Sequence, residues 1–396
     1  CLYVVYSKST ENDKLVAQFK DKMTFIAVEN SIDFLQDIAK LISQRFQVNG
    51  GTMITISGSN GKTTTKEMLY HLLHGVNPNT ICTQKNNNNH IGVPLTIFQI
   101  NPKTKFAIVE LGSNHPGEIE LLCSISDPQM GVTTNIGDTH LEFFGDREAV
   151  FKEESCTYRW IKASHNPNKR FFVNADDQFL KDLDGEFSIS YGENEVADCR
   201  LTITANSVEL DLLGMIYKIE NEYITGKHNF VNLALAFLMA KEAAPVYTDD
   251  FVELAGSFRP TTNRSQWIEL NGSRIFLDAY NANPSSMRMA IEGFSQKIGE
   301  KEKSYCLVLG DMNELGVGAQ QYHKELGEEL SEKYNNIFFV GRYAEDYSSA
   351  GKVECQKFES VENFKDYFQK NLLGKYQYIF IKGSRSLQLE SLVDIN

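Results

Sequence analysis

The sequence predicts an α/β protein in which a central parallel-sheet domain with a phosphate-binding loop of the ATPase (P-loop) type precedes a C-terminal Rossmann-like domain. Three observations predict this fold class. Short apolar runs alternate with helical segments from residue 50 onward, which is typical of a parallel sheet buried on both faces. A glycine-rich segment separates the first of these runs, at 53–56, from a helix. A second series of strands and helices follows an irregular segment near residue 260, which indicates another doubly wound domain.

Residues 1–48 predict a partial N-terminal α/β domain. Apolar runs at 2–6 and 24–28 indicate two strands. A helix should follow, because apolar residues recur at helical spacing, namely Ile32, Leu35, Ile38, Leu41 and Ile42. These elements are too few for an independent core. We therefore expect residues 1–48 to be the remnant of a larger N-terminal domain.

The remaining elements divide the chain at a linker. Buried strands are expected at 53–56, 106–111 and 130–134. Residues 198–224 alternate between apolar and polar, which predicts an antiparallel patch. The linker is predicted at 258–263, so the central domain spans 49–259 and the C-terminal domain spans 260–396. Strands of the C-terminal domain are predicted at 274–277, 305–309, 336–340 and 378–381.

Composition excludes several classes of protein. The formal net charge of -13 argues against a nucleic-acid binder, which would normally present a basic surface. The seven cysteines are scattered without a metal-binding spacing, so reduced thiols in a cytoplasmic protein are the simplest expectation. No apolar run reaches the roughly 18 residues that would predict a membrane span.

The segment Gly58-Ser59-Asn60-Gly61-Lys62-Thr63-Thr64 predicts a phosphate-binding loop. Glycines let the backbone approach phosphate closely, and the following helix N-terminus supplies partial positive charge. Lys62 should reach the β- and γ-phosphates, and the Thr63 hydroxyl should coordinate Mg²⁺. The spacing is shorter than the usual one, since position 56 is isoleucine rather than glycine. A glycine-rich turn without a ligand is the alternative.

Three other clusters follow strands or lie in loops. Glu110 ends a predicted strand and precedes Gly-Ser-Asn-His-Pro, so it is a candidate metal ligand, although such residues are often only solvated. His140 lies in a loop after a strand and could bind a second Mg²⁺ or form ordinary hydrogen bonds. The asparagine run at 86–89 suits recognition of polar groups, and a turn-rich loop is the alternative.

Together these segments resemble motifs of one family, the Mur ligases of peptidoglycan synthesis. The matching segments are GSNGKTTTK, NNNNHIGVPLT, VELGSNHPGEI and NIGDTHLE. DAYNANPSSM and KGSRSLQLE resemble the members that add D-alanyl-D-alanine. The resemblance covers residues 49–396 and implies that residues 1–48 end a UDP-binding domain. Folylpolyglutamate synthetase shares the phosphate loop, but the segment at 280–284 argues against that sister ligase.

The resemblance implies an ATP-dependent ligase. ATP would phosphorylate the carboxylate of UDP-N-acetylmuramoyl-tripeptide, and the amine of D-alanyl-D-alanine would attack the acyl phosphate. Lys62 and two Mg²⁺ ions would neutralise the transferring phosphoryl group, with the ions held by Thr63, Glu110 and His140. A monomeric cytoplasmic enzyme, without nucleic acid or membrane span, is expected.

Further roles follow from the resemblance, residue by residue. Asn229 should contact adenine, and Arg264 should reach the γ-phosphate when the C-terminal domain closes. Asp278 and Asn281 should contact the nucleotide, and Asp311 and Glu314 should lie near the amine, although carboxylates also favour helix starts. The full set of expected substrate residues is Asn88, Asn89, Asn114, His115, Asp311, Glu314, Lys382, Ser384 and Arg385.

One position departs from the family. Relatives usually carry a carbamylated lysine fourteen residues after the metal-binding histidine, where this chain has Glu154. Glu154 could supply the second ion's carboxylate directly, which would remove any need for bicarbonate. Alternatively the site is impaired, and the chain is a nucleotide-binding pseudo-enzyme with a regulatory role. Modification of Lys152 is disfavoured, because two residues along a helix rotate a side chain by about 200°.

Overall fold

The computed structural model describes most of the chain, namely residues 3–183, 185–261, 263–299, 304–348 and 356–393. Parts of three sequence predictions lie outside the described residues: Leu2 of the first strand, Thr262 of the linker, and Cys1 and Cys355 among the thiols. The five described cysteines are all buried free thiols. No helix in these described stretches is long and apolar enough to cross a membrane.

The N-terminal part is a small parallel ribbon followed by a long helix. Its elements are β1 (Tyr3–Ser7), α1 (Thr10–Phe19), β2 (Thr24–Val28) and α2 (Ser31–Val48). The predicted helix forms as α2, but two of its apolar residues, Ile32 and Leu41, are 38% and 60% exposed. Ala39 and Phe46 are buried instead, in the core beneath the central sheet. The boundary at residue 48 stays a prediction, because the helix before it packs into that core.

The central part is a nine-stranded sheet with helices on both faces. Strand order is β11-β10-β9-β8-β7-β6-β3-β5-β4, parallel from β4 to β9 and antiparallel from β9 to β11, as the alternating pattern at 198–224 predicted. Its elements are β3 (Thr52–Ser57), α3 (Lys62–Val76), β4 (Thr80–Cys82), α4 (Gly92–Ile97), β5 (Phe106–Glu110), α5 (Glu118–Ser126), β6 (Met130–Thr133), α6 (Leu141–Phe144), α7 (Arg147–Glu154), α8 (Cys156–Ala163), β7 (Arg170–Asn174), β8 (Ser188–Gly192), β9 (Cys199–Ile203), β10 (Ser207–Leu212), β11 (Met215–Glu220), α9 (Lys227–Ala243) and α10 (Thr248–Ser257).

Strand β3 shows how the sequence places the two cores of this sheet. Ile54 and Ile56 face the layer that contains α3 and α9, whereas Met53 faces the layer of α2, α4 and α5. Successive side chains of a strand point to opposite faces, so a strand covered on both sides is apolar at nearly every position. The strands β6, β3 and β5 are neighbours, and their carboxyl ends therefore meet at one edge.

The C-terminal part is a six-stranded sheet in the order β12-β13-β17-β14-β15-β16, parallel except for the pair β12 and β13. Cores on its two faces are built from α11, α12 and α13 on one side and from α14 on the other. Its elements are β12 (Gln266–Leu270), β13 (Ser273–Asp278), α11 (Pro284–Ile298), β14 (Tyr305–Gly310), α12 (Ala319–Lys333), β15 (Ile337–Val340), α13 (Ala344–Ser348), β16 (Gln356–Phe358), α14 (Val361–Asn371) and β17 (Tyr378–Lys382).

The central and C-terminal parts contact each other at several points. Trp267 Nε1 donates to Thr225 Oγ1 at 2.8 Å, and Lys297 Nζ donates to Asn206 Oδ1 at 2.6 Å. These bonds join β12 and α11 to the central part. Loops that follow β3 and β6 contact loops that follow β13 and β14, so the carboxyl edges of the two sheets face a shared cleft.

Candidate active site

The phosphate loop leaves β3 and enters α3 with the geometry that an anion site requires. Gly58 and Gly61 have positive φ angles of 118° and 81°. A Cβ atom at Gly58 would lie 2.7 Å from the backbone nitrogen of Thr134, so only glycine fits there. Helix α3 has no side-chain cap at Gly61, and its first N–H groups are therefore free of a side-chain acceptor at this end.

Lys62 lies at the first position of α3 and folds back over the loop. Its Nζ donates to the carbonyl oxygens of Gly58 and, at 3.4 Å, of Ser59. The ammonium group is therefore held by main-chain acceptors at the loop rather than extended into solvent. A bound phosphate could compete for it, because a hydrogen bond between two charged groups is stronger than one to a neutral carbonyl.

Glu110 ends β5 beside the loop and is 2% exposed. Its Oε1 accepts hydrogen bonds from Thr63 Oγ1 and Asn88 Nδ2, each at 3.0 Å. Its Oε2 is buried without a hydrogen-bond partner. A buried anionic oxygen of this kind is costly unless a cation or donor joins it, so the arrangement of Glu110 and Thr63 fits a hard cation such as Mg²⁺.

His140 meets a carboxylate from the other side of the cleft. Its Nδ1 lies 2.9 Å from Oε2 of Glu314, although no well-aligned hydrogen bond forms at that nitrogen. The contact with His140 lowers the pKa of Glu314 from its usual value. Glu314 therefore joins the site, whereas no group of three or more His, Cys, Asp or Glu side chains converges within the described ranges as a metal centre.

Glu154 ends α7 and lies under the phosphate loop. Its Oε2 accepts a hydrogen bond of 2.7 Å from the backbone N–H of Gly58. Burial raises the pKa of Glu154, and the nearby Lys62 ammonium opposes this shift. The structure thus shows this carboxylate engaged by the loop backbone, and its expected contact with a second metal ion stays a prediction.

A narrow cavity lies between the two parts of the chain. Its lining includes Thr64, Asn229, Arg264 and Ser265, so the structure brings three predicted nucleotide residues together. Asn229 Nδ2 donates to Ser265 Oγ at 3.2 Å, which links α9 to the segment before β12. The Arg264 guanidinium stacks 3.7 Å above the ring of Tyr280. This stacking holds Arg264 at the cavity.

An ion pair lies at the carboxyl ends of β13 and β17. Lys382 Nζ bonds Asp278 Oδ2 and donates to the carbonyl oxygen of Asn281 at 2.9 Å. Burial alone would raise the pKa of Asp278, but Lys382 outweighs it and the pKa lies below the usual value. Nearby, burial lowers the pKa of His228 to about 4. The side chain of Asn281 is exposed.

Asp311 is held by the backbone of the loop after β15. Its carboxylate accepts backbone hydrogen bonds from Arg342 at 2.9 Å and Tyr343 at 3.0 Å, and the residue is 6% exposed. Both oxygens therefore fix the loop after β15. The expectation that Asp311 lies near the amine stays a prediction, and two backbone donors occupy its carboxylate in this structure.

Some of the other predicted substrate residues contact residues of the cleft, and others bond to neighbouring backbone or side chains. Asn88 contacts Glu110, and Asn89 Oδ1 accepts from the backbone N–H groups of residues 91 and 92, just where α4 begins. Asn114 and His115 are exposed in the loop after β5, with the His115 ring 4.2 Å from that of Phe143. Ser384 accepts from the backbone of residue 313, and Arg385 pairs with a glutamate at 390.

The sequence did not indicate the contact between Asn60 and the C-terminal part. Asn60 Nδ2 donates to Ser285 Oγ at 3.0 Å, and Asn283 Nδ2 donates to Asn60 Oδ1 at 2.8 Å. Asn283 also caps α11 with a capping box. Asn-Pro before an apolar run signals a helix start, but nothing local shows that this helix start faces the phosphate loop.

A phosphate loop beside Glu110, whose Oε2 lacks a partner, and a second Rossmann-like domain that contacts this loop fit a nucleotide-dependent ligase. The family profile described as "Mur ligase middle domain" matches residues 56–240, and "Mur ligase, glutamate ligase domain" matches residues 263–385. This chain belongs to the Mur ligase family and is a ligase of peptidoglycan synthesis.

Several similar proteins are named UDP-N-acetylmuramoyl-tripeptide–D-alanyl-D-alanine ligase or MurF. The UDP-N-acetylmuramoyl-tripeptide–D-alanyl-D-alanine ligase of Bacillus subtilis is 32% identical over 96% of this chain and 83% of its own length. A crystal structure of MurF from Acinetobacter baumannii is 26% identical, with a TM-score of 0.83, and covers 99% of this chain and 89% of that chain. MurF from Thermotoga maritima in complex with ADP is 23% identical, has a TM-score of 0.80 and covers 99% and 93%, and so shows the shared fold.

Proposed function

We propose that this chain joins D-alanyl-D-alanine to UDP-N-acetylmuramoyl-tripeptide with ATP, through an acyl phosphate. The observation that carries the proposal is the phosphate loop, which leads into the uncapped N-terminus of α3 and lies beside Glu110, whose buried Oε2 lacks a partner. The names of the Bacillus and Acinetobacter relatives support the choice of substrates. ATP as a substrate favours the cytoplasm, and we expect a monomer.

The residues of the cleft fit the charge problem of this reaction. A tripeptide carboxylate that attacks the γ-phosphorus meets an anion, so positive charge must lie around the transferring group. Lys62 can turn from the loop carbonyls to the phosphates, and the α3 N-terminus adds partial positive charge. Thr63 and Glu110 would hold Mg²⁺, with His140 as the proposed ligand of a second ion. Bound Mg²⁺ would supply further charge neutralisation.

The C-terminal part would bring the second substrate. Attack of the dipeptide amine on the acyl carbon expels phosphate and leaves a proton to be taken up. Glu314, held beside His140, is the proposed acceptor in that region. Asn229 and Arg264 line the cavity between the two parts and are proposed to hold the base and the phosphates.

A three-substrate assay tests the proposal. Phosphate release should require ATP, D-alanyl-D-alanine and UDP-N-acetylmuramoyl-tripeptide together, and Lys62→Met should reduce it by about 10²-fold or more. Tight ATP binding without substrate-dependent release would favour the regulatory pseudo-enzyme. Release with glutamate and a folate in place of the dipeptide and tripeptide would favour the folylpolyglutamate type.

A further inference from the structure

Helix α7 ends in two adjacent buried carboxylates, Glu153 and Glu154, each 5% exposed. Buried acids are rare unless hydrogen bonds satisfy them, so a consecutive pair requires an explanation. Neighbouring residues of a helix point about 100° apart. The two side chains therefore leave the same helix end in different directions and reach different loops.

Glu153 holds the loop that follows β5. Its Oε1 accepts from Ile119 N at 2.7 Å and from Ser113 Oγ at 3.2 Å, and its Oε2 accepts from Gly117 N at 2.8 Å. Both oxygens are thus occupied at the N-terminus of α5, where negative charge is favoured. This loop begins directly after Glu110, so Glu153 fixes the chain that leaves the proposed cation ligand.

Glu154 holds the phosphate loop itself. Its Oε2 accepts from Gly58 N at 2.7 Å, and its backbone oxygen accepts from Thr133 Oγ1 at 3.1 Å. Gly58 is the first residue of the loop and has a φ of 118°, a conformation that glycine adopts more readily than other residues. The bond therefore fixes the point from which the loop turns toward Lys62.

We propose that Glu153 and Glu154 form a clamp that ties both loops of the nucleotide site to the end of α7. The two acids are positioning residues, since they act through Glu110 and Lys62 rather than by touching substrate. The inference deepens the proposed function, because it assigns Glu154 to the loop backbone instead of to a metal ion. One helix end then sets the spacing between the proposed cation ligand and the phosphate-binding ammonium group.

Two substitutions of Glu154 distinguish the clamp from a metal ligand. Glu154→Gln keeps the length and an oxygen acceptor for Gly58 N–H but loses the charge. Glu154→Asp keeps the charge but is about 1.5 Å shorter. A clamp therefore tolerates glutamine better than aspartate, whereas a Mg²⁺ ligand tolerates aspartate better than glutamine. Glu148→Gln, at an exposed position of the same helix, is the matched control.

The readouts are amide hydrogen exchange at Gly58 in the unliganded protein and ADP affinity measured with Mg²⁺ and with EDTA. We expect Glu154→Asp to speed Gly58 exchange and weaken ADP binding by about tenfold in both buffers, equivalent to about 1.4 kcal/mol. Glu154→Gln and Glu148→Gln should stay within about threefold of the unaltered protein. The clamp would be overturned if ADP affinity changed only in the Mg²⁺ buffer and Glu154→Asp weakened it less than Glu154→Gln.

The other half of the clamp has its own variant. Three donors, from Ser113, Gly117 and Ile119, bond the Glu153 carboxylate, and in Glu153→Gln the side-chain NH₂ group must face at least one of them. Amide hydrogen exchange across residues 113–119 should therefore accelerate by about tenfold, while exchange at Gly58 stays unchanged. Equal protection of residues 113–119 in this variant and in the unaltered protein would contradict the Glu153 assignment. These measurements need no catalysis, so they can fail while the three-substrate assay succeeds, and the reverse also holds.

Discussion

Replacing Lys382 by methionine removes the cation of the ion pair at the carboxyl ends of β13 and β17. The Lys382 side chain is 4% exposed and that of Asp278 is 16% exposed, so water can replace little of the lost interaction. Asp278 keeps one hydrogen bond, from Ser265 N at 3.1 Å to Oδ1. The carbonyl oxygen of Asn281 also loses its donor.

The expected loss is large because a buried carboxylate is left without its counter-ion. Breaking a buried pair by removing one partner costs about 3–5 kcal/mol, more than the pair itself contributes relative to apolar groups. The double variant Asp278→Asn/Lys382→Met removes both charges and keeps an oxygen acceptor for Ser265. We expect it to recover a large part of the stability that Lys382→Met loses.

The effect should depend on pH with a defined sign. In the unaltered protein Lys382 holds the pKa of Asp278 low, so its contribution is present at neutral pH and is lost as pH falls through that pKa. In Lys382→Met only burial remains as a major influence, and it raises the pKa of Asp278. Protonation of Asp278 therefore stabilises the folded state of the variant. The stability gap should be widest at neutral pH and should shrink in acid.

Urea unfolding followed by Trp267 fluorescence measures this effect in the C-terminal part. Trp267 packs against Phe276 and Phe294 with ring centroids 5.2 and 5.9 Å apart, so its emission reports that core. The second tryptophan, Trp160, is replaced by phenylalanine in every variant. A loss below about 1 kcal/mol, or a double variant no more stable than Lys382→Met, would refute the reasoning.

Three other predictions follow from single contacts. Ser285→Ala removes the hydroxyl that accepts from Asn60 and should weaken the contact between the two parts by about 0.5–1.5 kcal/mol. X-ray scattering with ATP analogue and substrate should then give a larger radius of gyration. An unchanged radius of gyration would contradict this prediction. His228 should titrate near pH 4 by NMR, so its contribution to stability is present above pH 6.5 and falls below it; a midpoint near 6.5 would refute its burial. Because Glu154 replaces the usual lysine, activity in CO₂-depleted buffer should not depend on bicarbonate, and a strong dependence would show that a carbamate forms elsewhere.

Local patterns were sufficient to predict much of the fold. Apolar runs identified strands such as β3, β5 and β6, because a strand covered on both faces must be apolar along its length. The alternating segment correctly gave the antiparallel strands at one edge. The apolar spacing predicted helix α2 but not its burial, since spacing indicates that a helix has an apolar side but not which neighbour covers it.

The sequence by itself determined the phosphate loop, because glycines, lysine and threonine between a strand and a helix act within a few residues of one another. Only the tertiary structure decided what Glu154 and Asp311 do. Glu154 bonds an amide 96 positions away, and Asp311 bonds amides 31 and 32 positions away. Folding brings backbone donors to both carboxylates, and a buried donor must find an acceptor. Partners so distant in sequence are set by the packing of whole elements, which no local pattern records.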